Sequence, residues 1–274
     1  MIDSHCHLDC DAFAVDREGV LQRAQVAGVT DIVVPAVDES TWQPILALQG
    51  RSGAPRCHGG LGIHPVALPA MLPEDDTVVL KRLESAMQRA RLVAVGECGL
   101  DTTIDLGQAP IERQERMLDA QLALARSAHL PVILHARGPG ATDRLFRLLD
   151  RTPAGWSGVL HSYGGGAELL RQYLHLPLCF GYAGPATYSN ARKIRAAIAA
   201  TPADRLLAET DAPDQTPEPH RPGRSEPAYL ADVIRGLAAA RGTGPEDIQS
   251  LTAANARRIF CLDKSGPERP PAQT

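Results

Sequence analysis

The feature that most constrains this chain is a recurrence of short apolar runs, each followed by a helix-length amphipathic stretch. Eight runs start near Ile2, Asp31, Arg56, Leu92, Val132, Gly158, Leu178 and Arg205, about thirty residues apart. A strand, its helix and the connecting turns occupy about that length in a βα unit. The runs are continuously apolar, as in Asp-Ile-Val-Val-Pro at 31–35 and Val-Ile-Leu-His at 132–135. Strands that do not alternate polar and apolar suit a parallel sheet covered on both faces. Between the runs, Val79, Leu83 and Met87 form one helical stripe. Leu118, Leu122 and Ala125 form a second, and Leu230, Val233, Ile234 and Leu237 a third. Such faces pack on a sheet far more often than they serve as partner grooves. Eight βα units within 274 residues predict an α/β fold, a single-domain TIM-type (β/α)8 barrel, regular or distorted, over residues 1–264. The rival, a doubly wound sheet, usually carries a Gly-rich turn after its first strand, and Ser4-His5-Cys6-His7 stands there instead. Residues 265–274 are polar and proline-rich, and are predicted to be a disordered tail.

Composition narrows the function classes. The net charge of −4 excludes a global basic footprint for wrapping duplex nucleic acid, but leaves room for a local site that takes a strand end. No run of eighteen apolar residues spans a membrane, and no basic segment leads an apolar run at the start. Six scattered cysteines, at 6, 10, 57, 98, 179 and 261, read as reduced thiols of a cytoplasmic protein.

The ionisable residues fall at the C-terminal ends of the predicted strands. His5 and His7 end strand one, and on its extended backbone both imidazoles project to one side while Cys6 projects to the other. His64, Glu97, His135 and His161 fall at the ends of strands three, four, five and six. Asp211 falls at the end of strand eight. In a barrel these ends converge on one mouth, where catalytic residues collect. Singly, each is more often a core histidine or a turn carboxylate. Together, His5, His7, His135, His161, Glu97 and Asp211 can hold two divalent ions, a pair that at roughly 3.5–4 Å activates water and stabilises a leaving oxygen. Some barrel hydrolases bridge their ions with a carboxylated lysine. Here Lys81 and Lys193 lie in predicted helices and Lys264 in the tail. A native carboxylate must then bridge, and Glu97 is placed for it. Asp211 suits a ligand that also orients or deprotonates the attacking water. His58, His129, His175 and His220 do not share this placement, and Cys98 reads as a packing residue.

The motifs Asp3-Ser4-His5-Cys6-His7-Leu8, Gly62-Ile63-His64-Pro65, Gly96-Glu97-Cys98-Gly99-Leu100-Asp101, Leu130-Pro131-Val132-Ile133-Leu134-His135 and Glu209-Thr210-Asp211-Ala212-Pro213 resemble the TatD family of metal-dependent hydrolases. The likeness runs from His5 to Phe260. It implies a TIM barrel related to amidohydrolases, with a dinuclear site of zinc, magnesium or manganese. It also implies phosphodiester hydrolysis, commonly as a deoxyribonuclease working from 3′ ends of DNA. By position, the metal ligands would be His5, His7, Glu97, His135, His161 and Asp211, with Glu97 shared. His64 would lie near the scissile phosphate, so Asp211, Glu97 and His64 are the expected catalytic residues. Arg137 matches an arginine suited to a phosphate oxygen. Departures occur at Tyr163, Thr102 and Arg224-Ser225, all outside the ligand set.

The expected function is therefore a 3′–5′ exodeoxyribonuclease. The alternatives are two-metal hydrolysis of an amide, cyclic amide or phosphotriester, and a non-catalytic metal-binding scaffold. Arg137, Arg221 and Arg224, as cations facing phosphate, favour phosphodiesters. Gly164–Gly166 could offer backbone N–H groups to a phosphate. Asn255, on a stripe with Leu251 and Ile259, is expected to brace a loop.

Overall fold

A computed structural model describes residues 1–53 and 55–263; the predicted tail lies outside the described residues. Eight parallel strands form one sheet in chain order. They are β1 (Ile2–Asp3), β2 (Asp31–Pro35), β3 (Arg56–Leu61), β4 (Ala94–Asp101), β5 (Val132–Arg137), β6 (Gly158–Leu160), β7 (Leu178–Tyr182) and β8 (Leu206–Ala208). The helices after them are α1 (Arg17–Val26), α2 (Glu39–Gln49), α3 (Asp76–Arg89), α4 (Ile111–Ala128), α5 (Ala141–Arg151), α6 (Ala167–Tyr173), α7 (Arg192–Ala200) and α8 (Leu230–Arg241). Each connection is thus a short crossover between neighbouring parallel strands.

The seam between β8 and β1 is closed by single bonds rather than a ladder. Ser4 N–H donates to Ala208 O (3.2 Å), Asp211 N–H to His5 O (2.9 Å) and His7 N–H to Ala212 O (2.8 Å). The (β/α)8 barrel is as expected, and it is irregular at this seam, where the first and last of the sequence motifs meet.

Strand starts follow the apolar runs, with two shifts. β4 begins at Ala94 rather than Leu92, and β8 at Leu206 rather than Arg205. Arg205 instead ends a 3-10 turn, its guanidinium donating to Leu174 O (2.8 Å) and Leu176 O (2.9 Å).

The core has two shells. Inside the barrel, Ile2, Val33, Ala94, Ile133, Val159, Cys179 and Leu207 pack together. A ninth helix outside the eightfold repeat, α9 (Pro245–Phe260), adds Ala253, Ala256 and Phe260 to this shell. Outside, Ile32, Val34, Leu134 and Phe180 meet the helix stripes, including Leu118, Leu122, Ala125, Val233 and Leu237. Burying each large aliphatic side chain contributes about 1.5–3 kcal/mol. Asn255 Nδ2 donates to Ala203 O (2.7 Å) and Leu206 O (2.9 Å), so α9 braces the turn that enters β8, as its stripe predicted. Among the described residues no helix is long and apolar enough to cross a membrane.

Candidate metal centre

Three local devices build the mouth. The β1 ladder stops at Asp3, so His5 and His7 lie beyond the strand, not within it. The alternation persists all the same. Cys6 forms an isolated parallel bridge with Ala212 and is fully buried, while the His5 and His7 rings meet on the other side with their Nε2 atoms 3.2 Å apart. In β4, Val95 pairs with Val132 but Cys98 pairs with Leu134, so three steps on β4 oppose two on β5. A bulge of this kind re-aims a side chain, and Glu97 lies inside it, 1% exposed. Gly99 then lets β5 close in: its φ is +151°, and a Cβ there would lie 2.0 Å from His135 O.

Glu97 is the hub. Its Oε2 is 3.2 Å from His5 Nε2 and 3.3 Å from His7 Nε2. Its Oε1 is 2.7 Å from His161 Nε2, 2.8 Å from His135 Nδ1 and 3.2 Å from His64 Nε2. Asp211 Oδ1 joins the first side, 3.5 Å from His5 Nε2 and 3.8 Å from His7 Nε2. One carboxylate therefore separates two donor groups.

These groups fit divalent ions. Ring nitrogens face ring nitrogens, at 3.2 Å for His5 and His7 and 3.1 Å for His135 and His161. Both Glu97 oxygens are buried and, close as the imidazoles are, accept no hydrogen bond of acceptable geometry. Each nitrogen pair can form a hydrogen bond only when one of its two members carries the proton, and otherwise two lone pairs face each other. Burial opposes charge on His7 and His161, yet Glu97 overrides it and raises them to about 9 and about 10. Burial and the neighbouring His161 lower His5 to about 4. The carboxylates thus call for positive charge among nitrogens that cannot all be protonated. A divalent cation supplies that charge and accepts the lone pairs, and imidazole with carboxylate is a donor set for such ions.

Tautomers sort the histidines further. Position alone would put His64 beside Glu97 and His135 as a ligand. Its Nδ1, however, accepts the Val66 N–H at 2.9 Å. Burial lowers the His64 pKa, so the neutral ring carries its proton on Nε2, the nitrogen that lies 3.2 Å from Glu97 Oε1. His135 is the reverse. Asp101 Oδ2 lies 3.3 Å from its Nε2, which leaves the Nδ1 lone pair toward Glu97. A carboxylate behind a ligating imidazole fixes both tautomer and orientation.

Several supporting residues were not anticipated. Gln121 pairs with both backbone groups of Ile63 (2.7 and 3.1 Å), and Gln114 with both of Asp101 (2.7 and 3.0 Å). These two amides on α4 hold the turns that carry His64 and Asp101. Their signal was present in the sequence: they lie seven apart on the Leu118 stripe, polar positions on an apolar face. Gln215 Nε2 donates to Asp211 Oδ2 and to Ser162 Oγ. Glu209, fully buried, accepts from Ser162 N–H and Ser4 Oγ (3.0 Å), tying the ends of β8, β6 and β1 together.

Beside the cluster opens a cavity of about 740 Å³, lined by His135, His161 and Asp211 and, further out, by Arg137 and Lys193. Lys193 is helical, as expected, but α7 delivers it to this mouth. Gly164 and Gly165 also line it. Arg224, expected as a substrate contact, is not among the lining residues. It pairs with Asp16 (2.8 Å) and lies over the Phe13 ring (4.5 Å). Arg221 stacks on Tyr188 in the same loop region. The four histidines set aside lie apart from the cluster: His58 pairs with Asp31, His175 with Asp150 and His220 with Asp232, while His129 caps α4. Cys98 packs in the core, its thiol on Ile133 O (3.7 Å).

A barrel with buried histidines gathered around a shared glutamate at the C-terminal ends of its strands defines a metal-dependent hydrolase. The model of the family described as TatD related DNase matches residues 2–261. The uncharacterized metal-dependent hydrolase YjjV of Escherichia coli is 37% identical over 261 residues, 94% of this chain and 97% of the relative. The 3′-5′ ssDNA/RNA exonuclease TatD of Erwinia amylovora is 33% identical over 268 residues, 96% of this chain and all of the relative. The crystal structure of E. coli YjjV superposes with a TM-score of 0.84 at 36% identity, covering 95% of this chain and 98% of that one. The chain belongs to the TatD family, and as such is a metal-dependent hydrolase acting on ester bonds.

Proposed function

We propose that the protein is a phosphodiesterase acting on DNA ends, a 3′–5′ exodeoxyribonuclease that uses two divalent ions. The observation that carries this reading is Glu97, with His5, His7 and Asp211 on its Oε2 side and His135 and His161 on its Oε1 side. His5, His7, Glu97 and Asp211 would hold one ion, and Glu97, His135 and His161 the other. Bound there, divalent ions lower the pKa of water and neutralise charge on phosphoryl oxygens.

The chain's own groups supply the rest. Asp211, one oxygen held by Gln215, keeps Oδ1 toward the mouth to take a proton from the attacking water. His64 donates its Nε2 proton in a hydrogen bond to a phosphate oxygen. Arg137 binds a second oxygen; its planar donors match phosphate. The cations at the cavity favour a phosphodiester over an amide. The relative named as an ssDNA/RNA exonuclease supports a single-stranded substrate. A cytoplasmic location goes with the six free thiols.

The test is metal analysis of the purified protein, with hydrolysis of a 5′-labelled single-stranded oligonucleotide. Bound divalent metal and a ladder shortening from the 3′ end are expected, with Asp211→Asn losing at least about 100-fold in rate, the scale of general base catalysis. A metal-free active protein, or an Asp211→Asn variant with full activity, would refute it.

A further inference from the structure

We propose that Lys193 and the Gly164–Gly166 turn form a second anion subsite, which holds a phosphate of the substrate other than the one being cleaved. This deepens the phosphodiesterase reading and rests on it.

The first observation is convergence. Lys193 belongs to the β7–β8 connection, yet it lines the same cavity as His161 and Asp211. Its stem lies against Gly166, where a Cβ would stand 3.3 Å from Lys193 Cε and 3.4 Å from Cγ. The missing side chain is the groove in which the stem lies. Gly165 is constrained in a similar way, since a Cβ there would meet Tyr163 Oη at 2.3 Å. That hydroxyl donates to Gly166 O (3.1 Å) and pins the turn. The glycine run is thus shaped around two neighbours, one of them a cation.

The second observation is charge. Of the other arginines, Arg113 holds Asp76, Arg144 holds Glu112 and Glu115, and Arg224 holds Asp16, while Arg205 and Arg241 hold backbone carbonyls. Among the described residues Lys193 and Arg137 form no ion pair. Asp143, Asp211 and Asp214 also line the cavity, and among the described residues none forms an ion pair with either cation. Two cations without an ion-pair partner in one chamber offer contacts to a ligand that carries more than one anionic group.

The third observation is size. About 740 Å³ is the volume of a pocket that takes a whole small molecule rather than one phosphate. Arg137, two residues past His135, suits the phosphate at the reacting centre. Lys193, a flexible point charge with three donors, suits an outlying phosphate whose position varies.

The experiment compares four substrates: a deoxydinucleotide with a single phosphodiester, the same with a 5′-phosphate, the same with a 3′-phosphate, and the trinucleotide. The wild-type protein should prefer substrates with a second phosphate, as judged by kcat/KM. Lys193→Ala should lower that preference about tenfold to 150-fold, the effect of losing one charge-assisted contact. Lys193→Arg should retain it, and Gly166→Ala should lower it in part by displacing the stem. Lys193 is exposed, so the fold should survive; thermal melting checks this. The 5′- and 3′-phosphate arms report on which side of the scissile bond the second phosphate sits. Absence of the preference in the wild type, or its survival in Lys193→Ala, would overturn the subsite alone. Failure of the wild type to cleave any of the four would overturn the phosphodiesterase reading and the subsite with it.

Discussion

Replacing Gln215 by methionine keeps the side-chain volume and removes both donors. In the native protein the amide donates to Asp211 Oδ2 and to Ser162 Oγ, which leaves Asp211 Oδ1 toward His5 and His7. Without it, Asp211 can rotate, and metal binding must order the carboxylate as well as use it. Freezing one side chain costs about 0.5–1.5 kcal/mol, which sets a floor of about twofold to tenfold in affinity. Loss of a partner behind a metal ligand sets a ceiling of about 100-fold. An affinity about tenfold weaker is therefore expected for Mn²⁺ added to chelator-treated protein, read by calorimetry. Ser162 N–H still donates to Glu209, so the loop stays anchored and the urea midpoint should imply a loss of no more than about 1.5 kcal/mol. A folded Gln215→Met protein whose Mn²⁺ affinity is within twofold of wild type would show that Asp211 needs no such brace, and the argument would fail.

Three other outcomes follow from named contacts. His5→Ala with His7→Ala removes both imidazoles from the Glu97 Oε2 side only, so metal analysis should show that site emptied first and the other at least partly filled. Loss of both ions together would contradict the separation. Asn255→Ala leaves the Ala203 and Leu206 carbonyls without their donor and should cost about 2–4 kcal/mol in urea unfolding, while kcat is unaltered. For Asp31, burial raises the pKa, but bonds from His58 and Thr30 and the charge of Arg56 outweigh it, so the folded value lies below the ordinary 3.8. A depressed carboxylate adds stability that is full above the unfolded value and is lost as pH falls through the folded one. Asp31→Asn should therefore flatten the loss of stability on acidification below about pH 4, and an unaltered acid profile would count against this pair.

The periodic apolar runs made the barrel legible. A buried parallel strand is marked by its own residues, so eight runs could be placed to within two residues of the strand starts. The candidate ligands were legible for a related reason. Each ends an apolar run, and a barrel sends such ends to one face whatever the loops do. Buried amides on apolar stripes were readable in principle, and Asn255 was read while Gln114 and Gln121 were not.

What the sequence determined by itself was which residues end strands and which faces are apolar, because both are written in spacing along the chain. It could not determine what those residues meet. The bulge that turns Glu97 inward arises from a mismatch between β4 and β5 in pairing, which no single strand records. The proton position on His64 depends on a backbone N–H in the following turn. Arg224 was drawn to Asp16 and Phe13, and Lys193 was delivered to the cavity, by the way loops and α7 pack on the barrel. Side-chain partners across crossovers are chosen by packing and by the need to satisfy buried charge, and those are properties of the assembled molecule alone.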